Sequence, residues 1–447
     1  MSDALSNIGK IPELRKRLLF TLGMLAVYRI GVFISLPGVN VAALRQQFES
    51  AAGSLFGLVN MFSGGALQHF SLFTLGIAPY ISVSIIFQLL TPVIPSLEAL
   101  KKEGESGRRV ITRMTRQATI LLALVQSYFI STGLESGSGL ISHPGWEFRL
   151  TAILSLTAGT AFIMWLGEQI TEKGLGNGMS VLIFAGIVAR MPSVLAGSAE
   201  LVRQHEISPI AMIGMIAFSI ATIYGIVFME RSLRKIPVQY PKRMVGNRLA
   251  QAQTSYMPLK LNMTGVLAPI FASALLSMPA IILSFSKNEA IQSLLPNLRP
   301  GAAVYECIFV GLILFFAYFY TSIIYDPNEV AENMKKGGGF IPAVRPGKQT
   351  AEYLFDVLNR ITLWGALYVA AICVIPQLFY LWIGDPQFAS VFGGTSVLIA
   401  VGVTLDTINQ IESILISRNY DSFMAKSTKL RGGAGSASAN RSRILSR

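Results

Sequence analysis

Apolar residues in this chain gather into long unbroken runs and not into alternating patterns. Ten such runs are evident, at about residues 18–36, 71–94, 114–134, 150–170, 179–196, 209–229, 263–285, 303–325, 353–375 and 393–416. A helix rises about 1.5 Å per residue, so about 20 mostly apolar residues cross about 30 Å of hydrocarbon. Each run is long enough for one crossing, and the pattern predicts an all-α polytopic membrane protein. The first run follows Arg15, Lys16 and Arg17, yet no small-residue cleavage pattern comes after it and nine further runs do. It reads as a retained span.

Composition agrees: 52% of the 447 residues are apolar and 14% are charged, against about 25% charged in soluble domains. The formal net charge of +13 would suggest nucleic acid in a soluble chain, but in a membrane protein it first marks cytoplasmic loops. With the N-terminus inside, the inside segments hold 28 Lys and Arg and the outside segments 5. That bias places both termini in the cytoplasm. Ten spans with both ends inside divide into two sets of five, the second entering the membrane upside down relative to the first, as in many transport proteins.

Three segments break the pattern. Between the first two runs, residues 53–65 read GSLFGLVNMFSGG. The apolar part, Leu55 to Phe62, would rise only about 12 Å as a helix and cannot cross. Either a re-entrant half-helix filling a cavity or a helix lying on the outer surface satisfies such a stretch. Two inside loops, 230–262 and 326–352, are far longer than a connection requires. The first carries Arg231, Arg234, Lys235, Lys242, Arg243, Arg248 and Lys260, a charge pattern suited to phosphates or an acidic partner. The last 31 residues, with GGAGSASANRSR, are too polar to order themselves.

No enzymatic constellation appears. His69, His143 and His205 are scattered and lack the spacing of a zinc helix; Gly347-Lys348-Gln349-Thr350 has the wrong geometry for a phosphate loop. Gly174-Leu175-Gly176-Asn177-Gly178 misses the dinucleotide spacing and reads as a tight turn. Cys307 and Cys373 allow neither a disulfide framework nor a four-thiolate metal site. Charged residues within spans mark candidate pathways, and Arg29, Arg360, Asp406 and Glu412 qualify. Asp406 shares a helical face with Asn409, Gln410 and Ser413. Such a face serves either a proton or ion carrier or a polar seam against other helices.

Several strings are more specific: NMFSGGAL (60–67), LGIAPYISVSII (75–86), KKEGESGRR (101–109), MWLGEQITEKGLGNG (164–178), PLKLNMTGVLAPIFASAL (258–275), NMKKGGGFIPAVRPGKQT (333–350) and FGGTSVLIA (392–400). In this order, over nearly the whole chain, they resemble the SecY family, the central subunit of the bacterial protein-conducting channel.

The resemblance implies two five-span halves, 18–196 and 197–416, around an hourglass pore, with cytoplasmic segments 1–17 and 417–447. It implies a plug within 53–66, comprising Leu55, Phe56, Leu58, Val59, Asn60, Met61, Phe62, Ser63, Gly64 and Gly65. It maps the pore ring onto Ile77, Ile81, Ile183, Ile270 and Ile399, and the lateral gate onto Ser82, Gln88, Gln126 and Met278. Cytoplasmic docking would fall on Lys242, Arg243, Arg248 and Arg345. The implied function is passage of unfolded secretory polypeptides across the bacterial inner membrane and sideways release of transmembrane segments into lipid. Implied partners are SecE and SecG in a heterotrimer, the ATPase SecA or the ribosome, and a signal sequence; no cofactor, metal or catalytic residue is implied. Two departures stand out. Asn247 precedes Arg248 where the family commonly has paired arginines, and Leu267-Ala268-Pro269 shifts a proline by one place, implying a displaced kink in the seventh span.

Overall fold

The computed structural model describes residues 12–44, 63–135, 140–141, 143–240, 244–245, 248–249, 254–284 and 301–416. Plug positions Leu55 to Phe62, the docking candidates Lys242 and Arg243, and segments 1–11 and 417–447 lie outside the described residues.

The apolar runs fold as helices, and each of the ten meets one. These are α1 (Pro12–Val32), α2 (Ala78–Leu90), α4 (Glu105–Glu135), α5 (Trp146–Lys173), α6 (Gly178–Arg203), α7 (Pro209–Glu230), α8 (Leu267–Ser284), α9 (Ala303–Ile324), α11 (Lys348–Ile383) and α13 over 394–416. Short helices α3 (Pro95–Lys102), α10 (Pro327–Lys336) and α12 (Pro386–Phe392) punctuate them. Among the described residues, seven helical stretches are long and apolar enough to cross a membrane, and eight when α2 and α3, bent by 95° at their break, count as one span. Helix α1 falls short because Arg15, Lys16, Arg17 and Arg29 all fall within its 21 residues.

Helices outrun the hydropathy limits where polar residues carry them beyond the apolar zone. Helix α4 starts at Glu105 and not at 114, and α11 runs over 36 residues through Pro376. The second run is instead shortened. Residues 63–77 form turns, with Gly64, Gly65 and Gly76 at positive φ, and helix begins only at Ala78, with Pro79 in its first turn. Proline there is preorganised and sacrifices no hydrogen bond. The same rule removes the expected kink at Pro269: α8 begins at Leu267, so this proline sits in the opening turn and bends nothing.

Strands were not expected, yet the loop 230–262 is a β-hairpin. Strand β1 (Leu233–Gln239) pairs antiparallel with β4 (Thr254–Lys260), placing Ile236 opposite Met257, and β2 (Met244–Val245) pairs with β3 (Arg248–Leu249) toward the tip. Ile236 and Val238 alternate inward between exposed neighbours, the period of a half-buried strand. Ile236 and Leu259 pack with Ile341, Leu354, Val357, Leu358 and Ile361. Gln239 and Phe340 exchange both backbone hydrogen bonds at 2.9 Å. The two long loops are therefore one platform resting on the start of α11.

The core collects around the last helix. Within 387–416, 78% of the apolar window is buried, so this segment is enclosed by the other helices. Asp385, fully buried, ties its entrance to α6. One carboxylate oxygen accepts from Ser198 Oγ at 2.6 Å and the other caps α12 through Phe388 N at 2.8 Å. The polar face of α13 packs against the turn joining α5 and α6: Gln410 Oε1 accepts from Gly176 N, and Thr407 Oγ1 lies against Gly176. On that face Gln410 bonds the Gly176 turn, and both Gln410 and Asp406 are exposed.

Candidate functional site

The five isoleucines singled out by the resemblance come from four separate helical segments and meet in one buried apolar cluster. Their exposures are 2% for Ile77, 7% for Ile81, 3% for Ile183, 3% for Ile270 and 0% for Ile399. Ile77 is the residue before α2, and Ile81 N donates to Ile77 O at 3.1 Å, so the two stack one turn apart. Val181, Leu182, Ala274, Leu398 and Val403 pack into the same cluster. An apolar constriction of this kind can part around a polypeptide while giving ions no substitute for their hydration shell.

Beside this cluster the described end of the short apolar segment 53–66 is pinned. Tyr28 Oη donates to Ser63 O at 3.3 Å and Arg29 Nη1 donates to Gly64 O at 3.1 Å. Gly64 adopts φ +64° against Gly186, one turn beyond Ile183 on α6; a Cβ there would stand 2.9 Å from the Gly186 Cα and 2.8 Å from Tyr28 Oη. Tyr28 is held by Phe73, stacked at 5.9 Å. Downstream, Leu36 N donates to Phe70 O and Leu72 N to Ile34 O, both at 3.0 Å, binding the turn segment to the end of α1. Tyr28 and Gly186 belong to this seat and escaped the sequence reading. The signal available was Tyr28 adjoining an intramembrane arginine.

A cavity of about 830 Å³ opens beside the same seat, lined among others by Arg29, Gly64, Gly65, Arg190, Glu200 and Asp385. The end with Ile183 is thus apolar and the cavity beyond it is polar.

The gate candidates divide. Ser82 is buried on α2, which packs against both α4 and α8. Gln126 is buried on α4. Gln88 is exposed near the end of α2, donating to Ser84 Oγ at 3.2 Å, and Met278 falls within α8. For docking, Arg345 is exposed in the loop after α10, where its carbonyl accepts from Thr350 Oγ1 at 2.8 Å. Arg248 belongs to β3, paired with Val245. Among the described residues no cluster of His, Cys, Asp and Glu could hold a metal ion.

The SecY family profile matches residues 71–408. The chain is 45% identical over 431 residues to the protein translocase subunit SecY of Escherichia coli K12, covering 95% of this chain and 97% of that one. It is 46% identical over 437 residues to the same subunit of Pseudomonas aeruginosa PAO1, covering 97% and 98%. Among solved structures, a protein-conducting channel superposes with a TM-score of 0.67 at 19% identity, over 92% of this chain and 96% of that one. The channel of a canine ribosome-channel complex from the endoplasmic reticulum gives 0.64 at 19%, with the same coverage.

Proposed function

Because the chain belongs to the SecY family, we propose that it is the passive conduit of a bacterial protein translocase, conducting unfolded secretory polypeptides across the inner membrane and releasing apolar segments sideways into lipid. The observation that carries this reading is the convergence of Ile77, Ile81, Ile183, Ile270 and Ile399 into one apolar cluster, with a polar cavity beside it.

In the resting state the isoleucines close the waist and the plug, residues 53–66, covers its outer side. Tyr28 and Arg29 hold the plug's end by its backbone carbonyls, a grip that does not depend on plug side chains. A signal sequence parts α2 from its neighbours at Ser82, Gln88, Gln126 and Met278. The halves 18–196 and 197–416 then separate like a clamshell braced by SecE, with SecG alongside. Both termini lie in the cytoplasm in this reading, the orientation that the 28-to-5 distribution of basic residues favours.

Force comes from a partner, SecA or the ribosome, seated on the joined loop platform. Lys242, Arg243, Arg248 and Arg345 supply its charge, and the Gln239–Phe340 bridge makes the two loops move as one support. Arg345→Glu is expected to weaken docking of SecA or ribosomes on reconstituted vesicles by about tenfold, since reversal removes one attraction and adds one repulsion at an exposed site. The loss should shrink as salt rises. A binding curve equal to wild type at low salt would remove Arg345 from the interface.

A further inference from the structure

The sequence reading passed over Arg190, which lies seven residues beyond Ile183 on α6. Seven residues are nearly two turns, so it stands on the same helix face, about 10 Å farther along the axis. Its Nη1 is buried and has no hydrogen-bond partner. A buried guanidinium nitrogen left without an acceptor inside an apolar span is costly unless something compensates it.

Arg190 and Arg29 line the same cavity of about 830 Å³. Arg29 is partly engaged, donating to Gly64 O at 3.1 Å and lying 4.9 Å from the centre of the Phe33 ring. Among the described residues, none of the carboxylates on that cavity forms an ion pair with Arg190 or Arg29. Asp385 is buried and already bonded to Ser198 and Phe388; Glu200 pairs with Arg203 at 3.6 Å; Glu206 is exposed in the turn after α6. Among the described residues, Arg190 therefore lines this cavity with a buried Nη1 that neither a carboxylate nor any other acceptor engages.

We propose that this outer vestibule contains a carboxylate site, formed by Arg190 with Arg29, that takes Asp and Glu side chains of the emerging polypeptide and resists their backward slip through the isoleucine waist. The inference rests on the channel reading above, and it adds a chemical preference to a passage otherwise indifferent to sequence. A carboxylate leaving the apolar cluster meets the guanidinium groups as it re-enters water. Returning means giving up that partner to cross a waist that solvates no charge.

The test uses the reconstituted translocase with an arrested polypeptide whose stretch beyond the waist carries either acidic residues or the matching amides. The driving ATPase is then removed and backward slip timed. In wild type the acidic chain should slip about fivefold more slowly, the factor expected of one charge pair in a partly hydrated site. Arg190→Gln should bring the two chains together, and Arg190→Lys should restore the difference in part. Equal slip in wild type, which needs no variant and is also what a site filled by a free anion would give, overturns the proposal, as does a difference that survives Arg190→Gln. Cross-linking of the same arrested chains to α6 checks separately that polypeptide occupies the passage. Its absence would contradict the channel reading and the site with it.

Discussion

Replacing Ile77, Ile81, Ile183, Ile270 and Ile399 by glycine is expected to turn a silent resting channel into one with discrete ionic openings in a planar bilayer. The five side chains are at most 7% exposed and share one cluster, so each replacement empties volume that neighbours on fixed helices refill only in part. A buried isoleucine truncated even to alanine loses about 2–5 kcal/mol of packing, and glycine leaves a larger void. Water entering that void supplies what the apolar waist withholds from ions, a continuous hydration shell. Ile399, with no exposed surface on the most enclosed segment, and Ile183, one turn before the Gly186 that meets Gly64, should show the effect first. Conductance unchanged by all five replacements would show that the seal lies elsewhere.

Gly64→Val is expected to unseat the end of the proposed plug. The residue holds φ +64°, where a non-glycine residue costs about 1–2 kcal/mol and a β-branched one is a true outlier. The new Cβ would also press on the Gly186 Cα at 2.9 Å, and backbone cannot yield as a flexible side chain does. Together these move the closed-to-displaced equilibrium by about 2 kcal/mol, on the order of thirtyfold. Export of precursors with weakened signal sequences should rise, because the signal need no longer supply all the energy of opening. Gly186→Val attacks the same contact from the other side and should act alike. Gly23→Val on α1, with nothing within 4 Å of its added atom, should not. A Gly64→Val channel that stays as selective as wild type would dismiss the glycine contact as part of the closed state.

Much of this architecture was legible because a membrane simplifies the code. Twenty apolar residues in a row can do little else than form a helix, and each of the ten runs meets one. What hydropathy lost lies where polar and apolar signals stop tracking the lipid boundary. The turns over 71–77 are apolar enough to pass for the start of a span, yet Gly76 at positive φ takes them out of helix. The hairpin of 230–262 was hidden by its charge: among its described residues the buried apolar side chains are Ile236, Val238 and Leu259, and the Gln239–Phe340 bridge joins segments about a hundred residues apart.

The site was legible differently. Isoleucines at 77, 81, 183, 270 and 399 are ordinary packing residues by type, and family resemblance alone singled them out. Their gathering into one cluster is a property of the fold. Conversely, Asp406 looked like chemistry in sequence, yet on the same face Gln410 is spent on the Gly176 turn. Arg190, unmarked by any sequence motif, is the one charged residue among the four described residues whose buried side-chain polar atom lacks a partner.

The claim on which the account turns is that a polypeptide threads the isoleucine waist. A photo-reactive side chain placed at Ile77 or at Ile183, in a complex arrested during translocation, measures this directly. The account predicts a covalent adduct to the arrested chain from both positions, formed only while the chain is engaged. Adducts confined to residues 230–262 and 326–352, with none at 77 or 183 under the same arrest, would mean that the protein recruits partners to the membrane without conducting anything through it.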